Sequence, residues 1–197
     1  MAIFRRVGEE CVARFAPQEV QVLRQCAAHL AAMLADEPDH DDPAIERLFP
    51  DVYPEDPAQQ EEFRRLTQDD LKSAKLEQAK TMLVDLIDNG GVRVSEFESG
   101  ILDDGSLEAE GIESSREVRL PEDRADLWLR ALTDVRLILG TRLGVEDDTD
   151  IYAEIDAAVG RNPTSARVSQ LTVYAFLTRL QESLVEAMMG ADPGGFL

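Results

Sequence analysis

DLWLRALTDVRLILGTRLGV, the stretch Asp126–Val145, decides the fold because it carries an apolar side chain at every third or fourth position. Such positions share one face of an α-helix, and here they are Trp128, Leu132, Val135, Leu139 and Leu143. The face is broad, so we expect the helix to pack on several sides at the centre of the core. Glu122 and Asp123 suit a helix N-terminus, and Gly144 suits the left-handed residue that ends many helices. The sequence therefore predicts a central helix over 122–144.

Three charged residues are built into this helix: Asp134, Arg136 and Arg142. Buried ionised groups persist only where they are paired. One interpretation is that these charges form ion pairs that orient the neighbouring helices. The other is that Asp134, Arg136 and Arg142 are the binding residues of a polar site.

The remaining patterns predict a mainly α fold (α+β), a helical bundle of about four long helices with a small antiparallel β element. Apolar stripes at helical spacing predict the other long helices over 17–35, 67–88 and 165–189. The β-prone runs IFRRV and CVARF predict an N-terminal hairpin over 3–15, and the runs 92–97 and 117–120 predict a second antiparallel pair. A chain of 197 residues can bury a core as a single domain over 1–197, with a helical body over 17–189.

The segments between the long helices are irregular by composition. Five prolines in 36–62 predict an acidic, proline-rich connector with no long regular structure. The run 44–49 fits one helical turn, and the run 59–66 fits a short helix, after which Thr67 would cap the next helix. Further along we expect a mobile loop over 99–115, a short helix over 152–159 that ends at Gly160, and a frayed tail over 190–197.

The charge balance bears on the kind of partner. Forty Asp and Glu against 20 Lys and Arg give a formal net charge of −20. Because duplex DNA is bound through many Lys and Arg contacts to phosphate, we do not expect tight direct DNA binding. The nearest candidate for a DNA-recognition segment is 160–167, which contains Arg161 and Arg167. Acidic residues on either side reduce the local positive charge of this segment. The charge favours a protein partner instead.

Neither a signal peptide nor a membrane-spanning run is apparent in the sequence. The first fifteen residues carry charges throughout, and no apolar run approaches about 20 residues. We therefore expect no membrane association and a cytoplasmic location, where thiols are normally reduced.

Motifs of enzymes, cofactor sites and metal sites are not found. The sequence has no glycine-rich phosphate loop, no nucleophile elbow and no HExxH, so we expect no catalysis and no cofactor. His29 and His40 follow no catalytic pattern. Cys26 and His29 lie one helical turn apart, but a tetrahedral site would need further ligands that no motif spacing supplies. We therefore expect no metal.

Cys11 and Cys26 are the only two cysteines. Cysteine is among the residues most often buried, so two inert core thiols are one interpretation. The other is a reversible redox pair, because a hairpin packed on the first helix could bring the two thiols together. Such a disulfide needs Cα atoms within about 4.4–6.8 Å, and closing a loop of about 15 residues contributes about 3 kcal/mol in the entropic description. That is enough to shift a marginal hairpin between two arrangements.

Three stretches carry a resemblance to a known family. They are the run Leu132–Gly144, the opening with Phe4-Arg5-Arg6 and Ala13–Pro17, and the last helix with Tyr174 and Leu180–Ala187. Together they resemble an actinobacterial domain-of-unknown-function family that includes AosR-type oxidative-stress transcriptional regulators. The resemblance implies an oxidant response. It also implies a closely spaced thiol pair in the N-terminal segment, whereas here Cys26 lies on the following helix.

Two classes of function follow. The first is a non-enzymatic, stress-linked transcriptional regulator that acts mainly through protein contact, with a sigma factor or RNA polymerase as partner and with Cys11 and Cys26 as redox residues. The second is a structural or adaptor module with inert cysteines, linked to regulated proteolysis. The wide apolar stripe of the last helix also predicts a homodimer through that helix.

Overall fold

The computed structural model describes residues 2–35, 42–87, 115–146 and 148–190. This part of the chain contains three strands and six helices. In order they are β1 (Arg5–Val7), β2 (Glu10–Phe15), α1 (Pro17–Ala35), α2 (Pro43–Leu48), α3 (Pro57–Ile87), β3 (Arg116–Leu120), α4 (Glu122–Leu143), α5 (Ile151–Arg161) and α6 (Ala166–Met188). The predicted fold class, mainly α with a small antiparallel sheet, is confirmed.

Helix α4 is the centre of the core, as its apolar pattern predicts. It packs against α1, α2, α3 and α6, and Trp128, Ala131 and Leu132 on it have no exposed surface. The helix starts directly after Pro121. It ends at Gly144, whose φ of 68° lies in the left-handed region. Both predicted ends are therefore confirmed to within one residue.

The sheet has the order β1-β2-β3, and all its pairs are antiparallel. Cys11 lies opposite Leu120, and Phe15 lies opposite Arg116. The predicted hairpin is confirmed, and so is a strand at 117–120. That strand pairs with β2, although the sequence pattern paired it with 92–97, which lies outside the described residues. Strand β2 can accept a second partner because hydrogen-bonding groups remain along its other edge.

Three aromatic rings join the sheet to α4. Phe4 and Phe15 lie 5.8 and 6.2 Å from Trp128, measured between ring centroids, and 5.9 Å from each other. The indole Nε1 of Trp128 donates a hydrogen bond of 2.8 Å to Asp85 of α3. One side chain thus holds the hairpin, the central helix and the end of α3 together.

Helix α3 is longer than predicted. The sequence pattern predicts a short helix over 59–66 and a new helix capped by Thr67, but one helix runs from Pro57 to Ile87. The Thr67 hydroxyl donates to the Phe63 carbonyl at 2.8 Å, which is a bond within a helix interior and not a cap. The prediction of an irregular connector over 36–62 is therefore wrong for its last residues, which form the start of α3. Pro57 does not prevent this, because proline is well tolerated at the first position of a helix.

The short helices also differ slightly from their predicted bounds. Helix α2 confirms the predicted turn near 44–49, with the Asp42 carboxylate accepting from the Ala44 amide. Helix α5 continues through Gly160 to Arg161, so Gly160 does not end it. The predicted mobile loop 99–115 and frayed tail 190–197 lie almost wholly outside the described residues.

The apolar stripe of α6 is buried within the same chain. Leu177, Leu180 and Leu184 have no exposed surface, and α6 packs against α4 and α5. The wide stripe that predicted a homodimer through this helix is therefore occupied by the chain's own core. The homodimer stays a prediction that this face no longer supports.

Candidate functional site

Cys26 and Arg142 line a cleft between α1 and α4 of about 280 Å³. Its apolar walls include Leu30, Ile138 and Leu139. The cleft contains one predicted redox residue and one predicted binding residue. We call it the α1–α4 cleft.

Arg142 ties this cleft to the residues that precede α2. Its guanidinium lies 2.8 Å from His29 Nε2 and 3.6 Å from the Asp42 carboxylate. A guanidinium can only donate, so His29 Nε2 accepts and the ring proton sits on Nδ1. Burial and the positive charge of Arg142 lower the pKa of His29, and the negative charge of Asp42 opposes them. His29 is therefore neutral near pH 7.

The Cys26 thiol is poorly suited to react as a thiolate. It is partly buried on α1, and burial raises its pKa to about 11. The thiolate is the nucleophilic form of cysteine. At neutral pH, Cys26 is therefore almost entirely protonated.

Cys11 lies on β2 with its side chain in the core and only 1% of its surface exposed. Burial raises its pKa, while the charge of Arg6 and a hydrogen bond from Arg6 partly lower it. Arg6 is the residue opposite Cys11 on β1. Cys11 thus has a cation, Arg6 of β1, beside its thiol, whereas no charged group lowers the pKa of Cys26.

The structure places the two thiols at different positions along α4. Cys11 lies opposite Leu120, just before α4, whereas Cys26 lines the cleft together with Ile138. At a rise of about 1.5 Å per residue, Glu122 and Ile138 are about 24 Å apart along the helix. A disulfide joins Cα atoms within about 4.4–6.8 Å. A bond between Cys11 and Cys26 therefore requires the hairpin and α1 to move relative to each other.

Thiol reactivity should follow this burial. In the folded protein at pH 7.5, we expect Cys11 and Cys26 to react with a chromogenic disulfide reagent at least tenfold more slowly than in urea. The Cys26 rate should rise as the pH approaches its pKa of about 11, because the thiolate fraction grows. Single Cys→Ser variants assign each rate. Prompt reaction of Cys26 at pH 7.5 would contradict the burial seen here.

Asp134 forms an ion pair with α3. Its carboxylate lies 2.7 Å from Lys75 Nζ, and only 4% of the residue is exposed. One carboxylate oxygen, Oδ2, is buried without a hydrogen-bond partner. Burial raises the pKa of Asp134, while the hydrogen bond and charge of Lys75 lower it in part. The pair joins the two helices at mid-length.

Arg136 points toward α6. It donates to the side-chain oxygen of Gln181, and its guanidinium carbon lies 5.5 Å from the centroid of the Tyr174 ring. The Gln181 amide then donates to Thr133 at 2.7 Å. Arg136 also lines a second cleft, which contains Gly140 and Tyr174.

The three charges of α4 therefore lie on three sides of the helix and do not form one site. Asp134 contacts α3, Arg136 contacts α6, and Arg142 contacts α1 and Asp42. The Asp134 contact fits the interpretation as ion pairs between helices. Binding at these residues stays a prediction.

Sequence reasoning missed the partners of these charges. Lys75 carried a detectable signal, because it precedes Ala79, Met82 and Leu86 at helical spacing and so extends their buried stripe by one turn. Gln181 and Tyr174 carried no such signal, since neither lies near Arg136 in sequence.

The candidate DNA segment 160–167 is engaged within the chain. Arg167 donates to the Leu143 carbonyl and lies 3.2 Å from the Glu154 carboxylate. Arg161 donates to the Ala157 carbonyl of its own helix. The contacts of Arg167 join the start of α6 to the end of α4 and to α5.

The described part of the chain offers neither a cluster of metal ligands nor a helix suited to crossing a membrane. No group of three or more His, Cys, Asp or Glu residues there could hold a metal ion. His40 lies outside the described residues. Among the helices described, none combines the length and apolar character that crossing a membrane requires.

Comparison with known proteins gives one family. The family model described as "Domain of unknown function (DUF2017)" matches residues 1–188. The chain is also 26% identical over 163 residues to proteins named "Oxidative stress regulator AosR" from Mycobacterium tuberculosis and Mycobacterium bovis. The match covers 76% of this chain and 60% of those relatives, so the chain spans less than two thirds of their length. No solved structure matches the chain.

Proposed function

This chain belongs to the DUF2017 family, and we propose that it is a non-enzymatic transcriptional regulator of a stress response that acts mainly through protein contact. The observation that carries this proposal is the similarity, over 76% of the chain, to proteins named as oxidative stress regulators. Proposed with it are a cytoplasmic location and a partner in the transcription machinery, a sigma factor or RNA polymerase.

The charge distribution supports contact with protein in preference to DNA. The formal net charge is −20, and several surface arginines sit against carboxylates. Arg14 and Arg119 both contact Glu117, at 3.1 and 2.8 Å. Phosphate binding needs basic side chains grouped on one face and free to neutralise phosphate charge. Carboxylates beside these arginines weaken such a face, whereas an acidic surface suits a basic protein partner.

The oxidant response is proposed to use Cys11 and Cys26. The thiolate sulfur attacks one oxygen of hydrogen peroxide and becomes a sulfenic acid, and the other oxygen leaves as hydroxide, which takes up a proton to form water. The second thiol then attacks that sulfur and releases a second water, leaving a disulfide. Because the thiols lie at different positions along α4, this reaction needs the hairpin to separate from α4 or α1 to shift. Closing the disulfide would then hold the hairpin in a new arrangement that a partner could distinguish.

The proposal is tested by peroxide treatment followed by intact mass measurement and non-reducing peptide mapping. We expect a Cys11–Cys26 disulfide that reductant reverses, and a change of at least tenfold in the affinity for RNA polymerase holoenzyme upon oxidation. The double variant Cys11→Ser, Cys26→Ser should keep the affinity of the reduced protein and lose the change. A Ser73→Ala variant with both thiols intact serves as the control.

The alternative is a structural or adaptor module with inert thiols, linked to regulated proteolysis. The burial and raised pKa of both cysteines favour it. If both thiols stay free after peroxide treatment and the double variant binds its partner as the wild type does, the redox proposal is wrong. Pull-down with a regulated protease and its adaptors then becomes the informative experiment.

A further inference from the structure

A second cleft lies on the side of α4 that faces α5 and α6. We call it the Arg136 cleft. It encloses about 340 Å³ and is lined by residues of α2, α4, α5 and α6 and of the turn after α4. This volume falls within the range of about 300–1,000 Å³ that is typical of sites for small molecules.

Arg136 lines this cleft, and its guanidinium has hydrogen-bond donors without partners. One terminal nitrogen donates to Gln181, but Nε is buried without a hydrogen-bond partner. Leaving a buried charged donor unsatisfied is unfavourable. The Tyr174 ring lies 5.5 Å from the guanidinium carbon and restrains its orientation. The other terminal nitrogen, Nη2, makes no hydrogen bond to a described residue. An oxygen atom of a bound anion would satisfy Nη2, whereas the buried Nε is out of its reach.

A second guanidinium lines the same cleft. Arg47 of α2 is a lining residue, and its side chain is exposed. Within the described part of the chain, neither Arg47 nor Arg136 has a carboxylate within ion-pair distance. This differs from Arg14, Arg64 and Arg119, each of which sits against Asp or Glu. What distinguishes this cleft is that two such arginines line it together, so that both can donate to one bound anion.

The remaining walls restrict the kind of anion. Leu137, Val145 and Ile151 are apolar, and the Tyr174 ring is flat. Glu146 also lines the cleft, so two positive groups face one negative group. A monoanion balances these charges, whereas the second charge of a phosphate dianion would be repelled by Glu146.

Gly140 sets the shape of the cleft. A Cβ atom at this position would lie 3.2 Å from Cε2 of Tyr174. The absence of a side chain therefore lets the Tyr174 ring lie against α4, beside Arg136. A larger residue at position 140 would push the ring outward.

We propose that the Arg136 cleft binds a small carboxylate with an apolar body. Arg136 and Arg47 hold the carboxylate, and the ring of Tyr174 with the apolar side chains encloses the body. Arginine pairs with carboxylate through parallel hydrogen bonds, which provides geometric specificity as well as energy. This site is independent of the thiols and of the proposed regulatory role.

The test is a titration with sodium benzoate, followed by amide chemical shifts of the ¹⁵N-labelled full chain. We expect saturable shifts at Gly140, Val145 and Ile151 on the cleft wall. Arg136→Gln and Arg47→Gln should each weaken benzoate binding about tenfold, as expected for the loss of a charge-assisted hydrogen bond. Arg130→Gln is the matched control, because it removes the same charge from an exposed position of α4 and should leave binding unchanged.

Two further probes distinguish this site from general anion binding. Benzamide, which has the same shape without the charge, should bind at least tenfold more weakly than benzoate. Inorganic phosphate should produce no saturable shifts at the cleft wall. The proposal fails if benzoate shows no saturation, if Arg47→Gln binds it as the wild type does, or if phosphate gives the same shifts.

Discussion

Replacement of Trp128 by Ala is expected to lower the free energy of unfolding by about 4 kcal/mol, in the range found for large core aromatics. The indole has no exposed surface and contacts the rings of Phe4 and Phe15. Its removal leaves a cavity where the hairpin meets α4. It also removes the hydrogen bond that Nε1 donates to the Asp85 carboxylate.

The measurement is urea unfolding followed by circular dichroism at 222 nm, because Trp128 is the only tryptophan and its fluorescence is lost in the variant. Trp128→Phe is the control, since it keeps most of the ring contacts and loses the hydrogen bond. We expect Trp128→Phe to lose less than half of the free energy of unfolding that Trp128→Ala loses. A loss below about 1 kcal/mol for Trp128→Ala would show that the aromatic cluster is not the anchor of the hairpin.

Replacement of Lys75 by Met should lower the free energy of unfolding at pH 7 by about 3 kcal/mol, because it leaves the buried Asp134 carboxylate without its cation. Asp134 already has a buried oxygen with no partner. Met keeps the aliphatic length of Lys, so the loss reports the charge. The double variant Lys75→Met, Asp134→Leu should recover most of the stability, since it replaces the pair by apolar side chains.

The stability loss of Lys75→Met should depend on pH, with a sign set by the Asp134 pKa. Burial holds this pKa above the ordinary value of 3.8, and Lys75 limits the rise. In the variant the pKa rises further, because that opposing influence is gone. A raised carboxyl pKa gives stability that is complete below the unfolded value and lost as the pH rises through the folded value. The difference in the free energy of unfolding between Lys75→Met and the wild type should therefore be largest at neutral pH. It should disappear below about pH 3.8.

Unfolding curves of the two proteins at matched pH values provide the measurement, because the general effect of acid on 40 carboxylates is common to both. Lys80→Met is the control, as Lys80 is exposed on the same helix. A deficit that stays constant between pH 7 and pH 4 would show that packing, and not the charge of Asp134, sets the cost.

Local sequence determined the helices and most of their ends. The apolar spacing from Trp128 to Leu143 identified α4 and its buried face, because residues three and four apart share one side of a helix. Gly144 marked the C-terminus, because a φ of 68° is readily adopted by glycine. The alternation of Cys11, Ala13 and Phe15 likewise identified the buried face of β2. These signals act within one or two turns of chain, so the sequence alone carries them.

Tertiary structure decided how these elements meet. Whether Thr67 starts a helix or lies within one, and whether β3 pairs with β2 or with 92–97, depends on contacts between segments far apart in the chain. The same holds for the three charged residues of α4. Asp134, Arg136 and Arg142 lie on one helix, yet each contacts a different part of the chain, because successive positions of a helix point about 100° apart. The packing of whole helices likewise decides how far Cys11 lies from Cys26 and brings Arg47 and Arg136 to one cleft. No local pattern predicts such contacts, because each long-range contact depends on all the others.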